Sequence, residues 1–334
     1  MRDIRDYSLK AHNTFGIEAH CSRFIEYATV DEACEVAAIL RSSAIPYIII
    51  GGGSNLLLTH DFEGIVVHSA IRGITFDDDG QVCCGSGEQW DDVVAWTIDH
   101  GLFGAENLSL IPGDVGASAV QNIGAYGAEV KDLIVSVEAV EIATGKLCRL
   151  SADECQYGYR ESRFKHEWKN RYLITHVQYK FSQQFEPRLD YGNIRAELDR
   201  QGISQPSAQQ LRQIIIGIRR EKLPDPVVMG NAGSFFMNPV VPRDQYERIA
   251  AEYPDMPHYY IDAEHEKIPA GWMIERCGWK GRSLGRAGVY DRQALLLVNR
   301  GGATGEEVLR LCRTIQQDVL KKFGIEIKPE VNII

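Results

Sequence analysis

The 334-residue sequence predicts an α+β protein with two or three domains. Three observations support this prediction. The chain is longer than one ordinary hydrophobic core. The chain contains both amphipathic helical stretches and short β-like stretches. Its composition, 44% hydrophobic and 25% charged, is that of a globular protein. No Gly-x-Gly-x-x-Gly motif occurs, because the third glycine would fall at Leu56 for the glycines at 51–53 and at Trp90 for those at 85–87. No P-loop motif occurs either. A Rossmann domain is therefore not expected.

A small α/β unit is predicted for roughly the first 70 residues. Thr29 and Glu32 have the spacing of a capping box, and apolar residues then recur at helical spacing as far as residue 43. The apolar run Tyr47–Ile50 ends in three glycines, which predicts a buried strand that leads into a loop.

Residues 72 to about 220 predict a second, α+β domain. Trp90, Val93, Val94 and Ile98 form the apolar face of a helix that ends at Gly101. Residues 134–141 and 172–181 have the composition of strands, and residues 144–145 and 190–192 are typical of turns.

The remainder of the chain begins with Leu-Pro-Asp-Pro after Lys222, a pattern that stops a helix. Thr304 and Glu307 form another capping box. The helix that follows should bury one stripe of side chains, at Val308, Leu311, Cys312, Ile315, Val319 and Phe323. Gly324 should end this helix, and residues 325–331 predict a terminal strand.

Charge and composition exclude several functional classes. A net charge of −10 and a pI near 5.5 argue against nucleic-acid and membrane-surface partners. No apolar run is long enough for a membrane span, and the first residues lack the core of a secretion signal. The eight cysteines show no zinc-type spacing, so we expect reduced thiols, no metal site and a cytoplasmic location.

Two glycine-rich segments are candidate ligand loops. Residues 51–55 (Gly-Gly-Gly-Ser-Asn) could present successive N–H groups to phosphate oxygens, or could form a tight turn. Residues 111–127 contain four glycines, the amide pair Gln121 and Asn122, and almost no charge. Such a segment should pack poorly as helix or strand. A surface loop is the alternative, but the composition favours backbone contact with a large planar, phosphorylated cofactor.

These two segments resemble the flavin-binding loops of p-cresol methylhydroxylase/vanillyl-alcohol oxidase-type proteins, which bind FAD without a Rossmann fold. Further motifs occur in the order found in the UDP-N-acetylenolpyruvoylglucosamine reductase family, at residues 13–17, 158–162, 222–226, 231–236 with 238–239, 270–272 and 329–331. The resemblance spans essentially the whole chain. It implies three domains: residues 1–71, completed by a C-terminal strand at 322–334; residues 72–222, which complete the FAD site; and a substrate domain at 223–321.

The resemblance implies non-covalent FAD, reduced by NADPH, and a UDP-N-acetylglucosamine enolpyruvate substrate that becomes UDP-N-acetylmuramate. It also implies a monomer that serves peptidoglycan synthesis. The implied cofactor-binding positions are Gly51, Gly52, Gly53, Ser54, Asn55, Pro112, Gly113, Gly116, Ser118, Gln121, Asn122, Ile123 and Gly124.

Three residues match the family's catalytic positions. Arg160 would hold the substrate carboxylate, into which negative charge spreads during reduction. Ser234 would protonate the inner carbon of the enolpyruvyl group, in a site kept dry by Phe235 and Phe236. Glu330 would be useful as a neutral hydrogen-bond donor, since an ionised carboxylate would repel the substrate carboxylate. Without the resemblance, Arg160, Ser234 and Glu330 would each be interpreted as an ordinary surface or turn residue.

Other positions match the family's contacts with the nucleotide: Tyr191, Arg219, Lys222 and Asn238. Residues 267–286 carry five cations and one carboxylate, which could receive a UDP group or could form an ordinary solvated face. Met237 stands where many members of the family carry lysine, so substrate affinity or NADPH binding is expected to depart from the family pattern.

Two other functions are consistent with parts of the sequence. A flavin oxidase of the same superfamily would use oxygen, but such enzymes often tether flavin through a histidine in the first glycine loop, and residues 51–55 contain none. A non-catalytic paralogue that binds nucleotide sugars could lose Arg160, Ser234 or Glu330, and all three are present.

Overall fold

The computed structural model describes all 334 residues. It contains nine α-helices: α1 (Val30–Ser42), α2 (Trp90–Asp99), α3 (Val115–Gln121), α4 (Ala152–Cys155), α5 (Ile194–Arg200), α6 (Ala208–Lys222), α7 (Arg243–Glu252), α8 (Ala270–Arg276) and α9 (Gly305–Phe323). None of them combines the length and the apolar composition that a membrane-spanning segment needs.

Most of the strands are short. They are β1 (Arg2–Ser8), β2 (His20–Tyr27), β3 (Tyr47–Ile50), β4 (Leu56–Leu57), β5 (Phe62–Ser69), β6 (Ile74–Phe76), β7 (Gln81–Gly85), β8 (Gly124–Ala125), β9 (Ala128–Glu129), β10 (Ile134–Glu141), β11 (Lys146–Ser151), β12 (Tyr172–Lys180), β13 (Asn231–Ser234), β14 (Val240–Pro242), β15 (Tyr259–Tyr260), β16 (His265–Lys267), β17 (Ser283–Leu284), β18 (Ala287–Val289), β19 (Leu296–Asn299) and β20 (Asn332–Ile333).

The chain divides into two compact units, and the first comprises residues 1–7, 21–52 and 62–221. One of its sheets has the order β1-β2-β5-β3, with β2 and β3 both parallel to β5. The other has the antiparallel order β11-β10-β12-β7-β6. Helix α1 packs between them, because its buried face shares one apolar cluster with Ile25 of β2 and with Val140 and Leu173 of β10 and β12.

The second unit comprises residues 8–20, 53–61 and 222–334. It contains a sheet of order β13-β19-β18-β17 and a smaller one of order β14-β16-β15. The buried stripe of α9 packs against the first of these sheets and against Phe235 and Phe236. The last strand, β20, pairs in parallel with β4. The proposed division into three domains at residues 71, 222 and 321 stays a prediction.

The strongest periodic patterns predicted their elements closely. Helix α9 has the expected capping box at Thr304 and Glu307, and Gly324 ends it in the left-handed conformation. All six residues of its predicted stripe are buried. Thr29 caps α1, and the predicted strands at 134–141 and 172–181 are β10 and β12.

Three local predictions were wrong. Residues 325–331 form no ladder; their only bridge joins Pro329 to Phe236, and the terminal strand is β20. Residues 115–121 are helical as α3, although their glycine and small residues predicted neither helix nor strand. Strand β3 is half-buried rather than buried, because it lies at the edge of its sheet and pairs with β5 alone.

Leu311→Ala should lower the free energy of unfolding by about 2–5 kcal/mol, because it would leave a cavity beneath α9. Leu320→Ala is the matched control: Leu320 lies on the same helix but is 51% exposed, so its substitution should cost less than about 0.5 kcal/mol. Urea unfolding of both variants measures the difference. Equal losses would show that α9 does not bury the face described here.

Candidate functional site

Gly51 and Gly52 lie directly against the start of α3. A Cβ added at Gly51 would lie 2.8 Å from the Cβ of Ala117, and one added at Gly52 would lie 3.2 Å from Oδ1 of Asp114 and 3.4 Å from the Cα of Gly113. The first two distances are shorter than ordinary van der Waals contacts, and the third is at their lower limit. The structure therefore brings part of the first predicted glycine loop into contact with part of the second.

The rest of the first loop, Gly53 to Asn55, belongs to the second unit. Gly53 has a φ of +67°, and a Cβ there would come within 1.9 Å of the carbonyl oxygen of His12. The amide of Thr14 donates to the Gly53 carbonyl over 3.1 Å. The side-chain amide of Asn55 donates to the carbonyl of Glu330 over 3.2 Å. The loop thus requires glycine at position 53 and is tied to the C-terminal segment.

The first loop fits a diphosphate. The amides of Gly51, Gly52 and Gly53 donate no backbone hydrogen bond to the rest of the chain, and Gly51 and Gly52 are half-buried. Consecutive N–H groups in a glycine turn form a concave site for anionic oxygens. Residues 51–55 can therefore hold the diphosphate of FAD, with Ser54 and Asn55 at the end of the loop.

The first turn of α3 is not an anion site. The amides of Val115 and Gly116 are occupied, since they donate to the carbonyls of Glu88 and Ser86 over 2.8 Å each. A Cβ at Gly116 would lie 3.0 Å from the Cβ of Ser86, so this glycine allows the helix to approach its neighbour. The buried hydroxyl of Ser118 donates to the Val115 carbonyl over 2.7 Å and lies 3.1 Å from the hydroxyl of Tyr179. Contacts of Gly116 and Ser118 with FAD remain predictions.

Residues at the other end of α3 form a turn that supports Arg160. Asn122 ends the helix with a φ of 44°, and its side-chain amide donates to the Gly158 carbonyl over 2.6 Å. The Arg160 guanidinium donates to the carbonyls of Asn122 and Gly124. Gln121 and Ile123 flank Asn122, while Pro112 and Gly113 precede the helix. The predicted carboxylate clamp thus contacts the predicted cofactor segment directly.

Arg160 has a strained backbone. Its φ is 58°, in a four-residue turn closed by a 3.1 Å hydrogen bond from the Glu161 amide to the Gly158 carbonyl. A left-handed conformation costs a non-glycine residue about 1–2 kcal/mol. Strain of this kind gathers at functional sites, where the direction of one side chain outweighs local stability.

Two of the predicted nucleotide contacts lie near Tyr126. Tyr126 has a φ of 47°, and its ring lies 3.5 Å from a Cβ built at Gly192. Tyr191 is 47% exposed and lies against Gly127. Arg219 extends from α6, where burial lowers its pKa against the opposing effects of Tyr126 and Asp91. The Nε of Arg219 is a buried donor without a hydrogen-bond partner, which is the condition expected of a group that awaits an anion.

In the second unit, the backbone of Glu330 is hydrogen-bonded to Phe235, the residue that follows Ser234. The Glu330 amide donates to the Phe235 carbonyl over 2.8 Å, and Pro329 bridges to Phe236. Ser234 is exposed and Glu330 is half-buried. Phe235 and Phe236 are both buried in the hydrophobic core of the second unit, and their role in keeping the site dry stays a prediction. Arg160 belongs to the first unit.

The other predicted substrate contacts also lie in the second unit. Lys222 is exposed at the end of α6. The Oδ1 of Asn238 accepts from the Ala270 amide over 2.9 Å at the start of α8, so this asparagine also supports the helix. Three cations of the 267–286 segment are paired with carboxylates, as Arg276–Asp255, Lys280–Glu275 and Arg286–Glu307. This pairing favours the solvated face over a UDP site.

Sequence reasoning missed a buried polar network beneath Gly51 and Gly52. Oδ2 of Asp114 lies 3.2 Å from Nε2 of His68, and Nδ1 of His68 lies 3.0 Å from Oε2 of Glu26. The side-chain amide of Gln89 donates to Oδ1 of Asp114 over 2.5 Å. Burial tends to lower the pKa of His68, but the two carboxylates raise it above its usual 6.5. No motif joins these residues, which lie far apart in the sequence.

No group of three or more histidine, cysteine, aspartate or glutamate side chains is placed to hold a metal ion, and all eight cysteines are free.

Comparisons with known proteins identify the family. Residues 22–151 match an FAD-binding domain, and residues 225–334 match the C-terminal domain of UDP-N-acetylenolpyruvoylglucosamine reductase. The reductase of Bacteroides fragilis is 53% identical over 333 residues, which cover 98% of this chain and 99% of the relative. The chain belongs to the UDP-N-acetylenolpyruvoylglucosamine reductase family.

A relative from Burkholderia ambifaria in the same family is 49% identical over 337 residues, covering 98% of this chain and 95% of the relative. The crystal structure of the Thermus caldophilus reductase aligns with a TM-score of 0.68 at 22% identity, over 99% of this chain and 98% of that one. This structural match confirms the predicted α+β fold, and the domain match confirms FAD as the cofactor.

Arg160→Gly and Arg160→Ala should differ in stability although both remove the guanidinium. Glycine has no Cβ and adopts the left-handed conformation without strain, whereas alanine keeps the strain. The glycine variant should therefore be more stable by about 1 kcal/mol. Thermal unfolding of both variants provides the measurement. If the alanine variant proved equally stable, Arg160 would not be strained.

Proposed function

We propose that this chain reduces the enolpyruvyl group of UDP-N-acetylglucosamine enolpyruvate to give UDP-N-acetylmuramate, at the expense of NADPH, during peptidoglycan precursor synthesis. The observation that carries the proposal is identity of about half over nearly the whole length of reductases with this name. Bound FAD would supply the hydride that it has taken from NADPH. The chain's own residues would bind the substrate, orient it and provide a proton.

Arg160 is proposed to hold the substrate carboxylate. Hydride addition to the terminal carbon places negative charge on the inner carbon, and this charge spreads into the carboxylate. A fixed guanidinium stabilises that charge without reorganisation, which is usually the largest electrostatic contribution to catalysis. The hydrogen bonds from Arg160 to Asn122 and Gly124 support this role, because they tie its position to the segment proposed to bind FAD.

Ser234 and Glu330 are proposed to act together, one in protonation of the inner carbon and the other in binding of the carboxylate. Ser234 would donate a proton to the inner carbon, and Glu330, kept protonated, would donate a hydrogen bond to the carboxylate. The backbone bond between Glu330 and Phe235 supports this pairing, because it fixes the glutamate one residue away from the serine. A weak acid such as serine becomes an effective donor when its position relative to the carbon is fixed.

The nucleotide end of the substrate is proposed to contact Tyr191, Arg219, Lys222 and Asn238. The unpartnered Nε of Arg219 supports an anionic ligand there. Tyr191 lies on the turn at residues 190–192 and is about half exposed, so it could close over a diphosphate. We also propose a cytoplasmic monomer, because NADPH and nucleotide sugars are intracellular metabolites and one chain supplies every proposed site residue.

The direct test is oxidation of NADPH by the purified yellow protein, followed at 340 nm. We expect oxidation to depend on the enolpyruvyl substrate and to yield UDP-N-acetylmuramate. Oxygen is the control acceptor: equally fast oxidation in air without the substrate would contradict the proposal and would indicate a flavin oxidase.

Ser234→Ala should slow reoxidation of the flavin by substrate by about 10²–10⁴-fold, because a positioned proton donor is lost. Reduction of the flavin by NADPH should be unchanged. Stopped-flow absorbance separates the two half-reactions, and Ser283→Ala, at an exposed serine of the same unit, is the control. Equal damage to both half-reactions would make Ser234 a structural residue.

Glu330→Gln should retain clearly more activity than Glu330→Ala, because glutamine keeps a neutral donor of the same length. Glu330→Asp withdraws the acid by one methylene, and a displacement of about 1 Å can cost roughly 10²-fold in rate. The measurement is kcat against pH for the wild type and all three variants. An inactive glutamine variant beside an active aspartate variant would show that Glu330 must ionise or transfer a proton.

A further inference from the structure

A buried carboxylate lies beneath the loop that we propose for the FAD diphosphate. Asp114 is 3% exposed, and positions for Cβ atoms at Gly51 and Gly52 lie 3.4 and 3.2 Å from its two carboxylate oxygens. A negative charge at this position would repel a diphosphate unless a nearby cation compensated it. Gln89 donates to Asp114 but carries no charge.

His68 is placed to supply the compensating charge. Its two ring nitrogens lie 3.2 Å from Asp114 and 3.0 Å from Glu26, and both of these partners are carboxylates. A neutral imidazole has one N–H, so one of the two contacts would then bring two acceptors together. The protonated ring donates to both carboxylates and leaves a cluster charge of −1 rather than −2.

The surroundings of His68 contain the charged groups that decide its titration. Glu26 faces it from β2, Asp114 faces it from the residue before α3, and the ring of Phe24 on β2 stacks 6.4 Å away. Burial lowers the pKa of His68, but hydrogen bonds and attraction to Asp114 and then to Glu26 outweigh burial and raise it.

We propose that Glu26, His68 and Asp114 form a positioning network that holds Gly51 and Gly52 in the FAD-binding conformation, so that FAD binds most tightly when His68 carries a proton. The inference rests on the proposed FAD loop. The three residues act through the loop backbone and are not assigned a step in the reduction.

The direction of the pH dependence follows from the position of the proton. His68 should be protonated at pH values below its usual pKa of 6.5, and it should lose the proton only as pH rises through its raised pKa in the folded protein. The network therefore contributes fully at low pH. FAD affinity should fall as pH rises through the raised pKa, and binding should take up a proton there.

The wild-type holoenzyme provides the first measurement. Dilution to nanomolar concentration releases FAD, and recovery of flavin fluorescence at equilibrium gives Kd from about pH 6 to about pH 9. We expect Kd to rise with pH, with a limiting slope of tenfold per pH unit for one proton. A Kd independent of pH would overturn the inference but would leave the proposed function intact. Failure to bind FAD at any pH would instead contradict the proposed function.

Two substitutions then assign the effect to His68. Glutamine places an amide nitrogen near the position of Nε2 and can keep the bond to Asp114, whereas asparagine reaches only toward Glu26. His68→Gln should bind FAD with a Kd that no longer depends on pH. His68→Asn should bind about 10-fold or more weakly at pH 6, because a hydrogen bond to a charged group is lost.

His265→Gln is the control, because His265 is a partly exposed histidine paired with Asp262 at 2.9 Å in the other unit. It should retain the wild-type pH profile. A wild-type profile in His68→Gln would assign the proton to another group and overturn the proposal. If neither His68 variant folds, the wild-type titration still decides whether the coupling exists.

Discussion

The close packing of other residues around Gly51, Gly52 and Gly53 is the constraint on which the rest of the site depends. Gly51 lies against Ala117, Gly52 lies closely against Asp114, and a Cβ at Gly53 would clash with the carbonyl oxygen of His12. The amides of all three donate no backbone hydrogen bond to the chain. The loop is therefore closely packed and keeps N–H groups that could bind an anion.

Residues with strained backbone conformations are concentrated in the segment that contains the second glycine-rich loop and Arg160. Five of the seven non-glycine residues with positive φ lie between residues 110 and 160, at Leu110, Asn122, Tyr126, Gln156 and Arg160. This stretch includes the second glycine-rich segment and the proposed carboxylate clamp. The surrounding hydrogen bonds, such as those from Asn122 and Arg160, hold conformations that would be unfavourable alone. These conformations lower the stability of the fold locally but fix the positions of side chains such as that of Arg160.

Features with a strong local signal could be predicted from the sequence. The caps and the apolar stripe of α9 depend on residues within the helix itself, so they were predicted almost to the residue. Helix α3 could not be predicted in this way, because its glycine, serine and valines have lower helix propensity than its two alanines. Gly116 packs closely against Ser86. The terminal strand was misplaced because residues 325–331 contact the core without forming a ladder.

The candidate site shows the same distinction. Motif order identified the family and the glycine loops, since these are continuous in sequence. The network of Glu26, His68 and Asp114 is assembled from three distant segments, and each residue alone is typical of an ordinary polar surface.

A crystal structure of the protein with FAD bound would test the central claim most directly, since that claim concerns where the diphosphate lies. We predict that diphosphate oxygens lie within hydrogen-bond distance, about 2.7–3.2 Å, of the amides of Gly51, Gly52 and Gly53. Asp114 should remain in contact with His68 behind the loop. A diphosphate bound elsewhere, with these three amides facing solvent, would contradict the account.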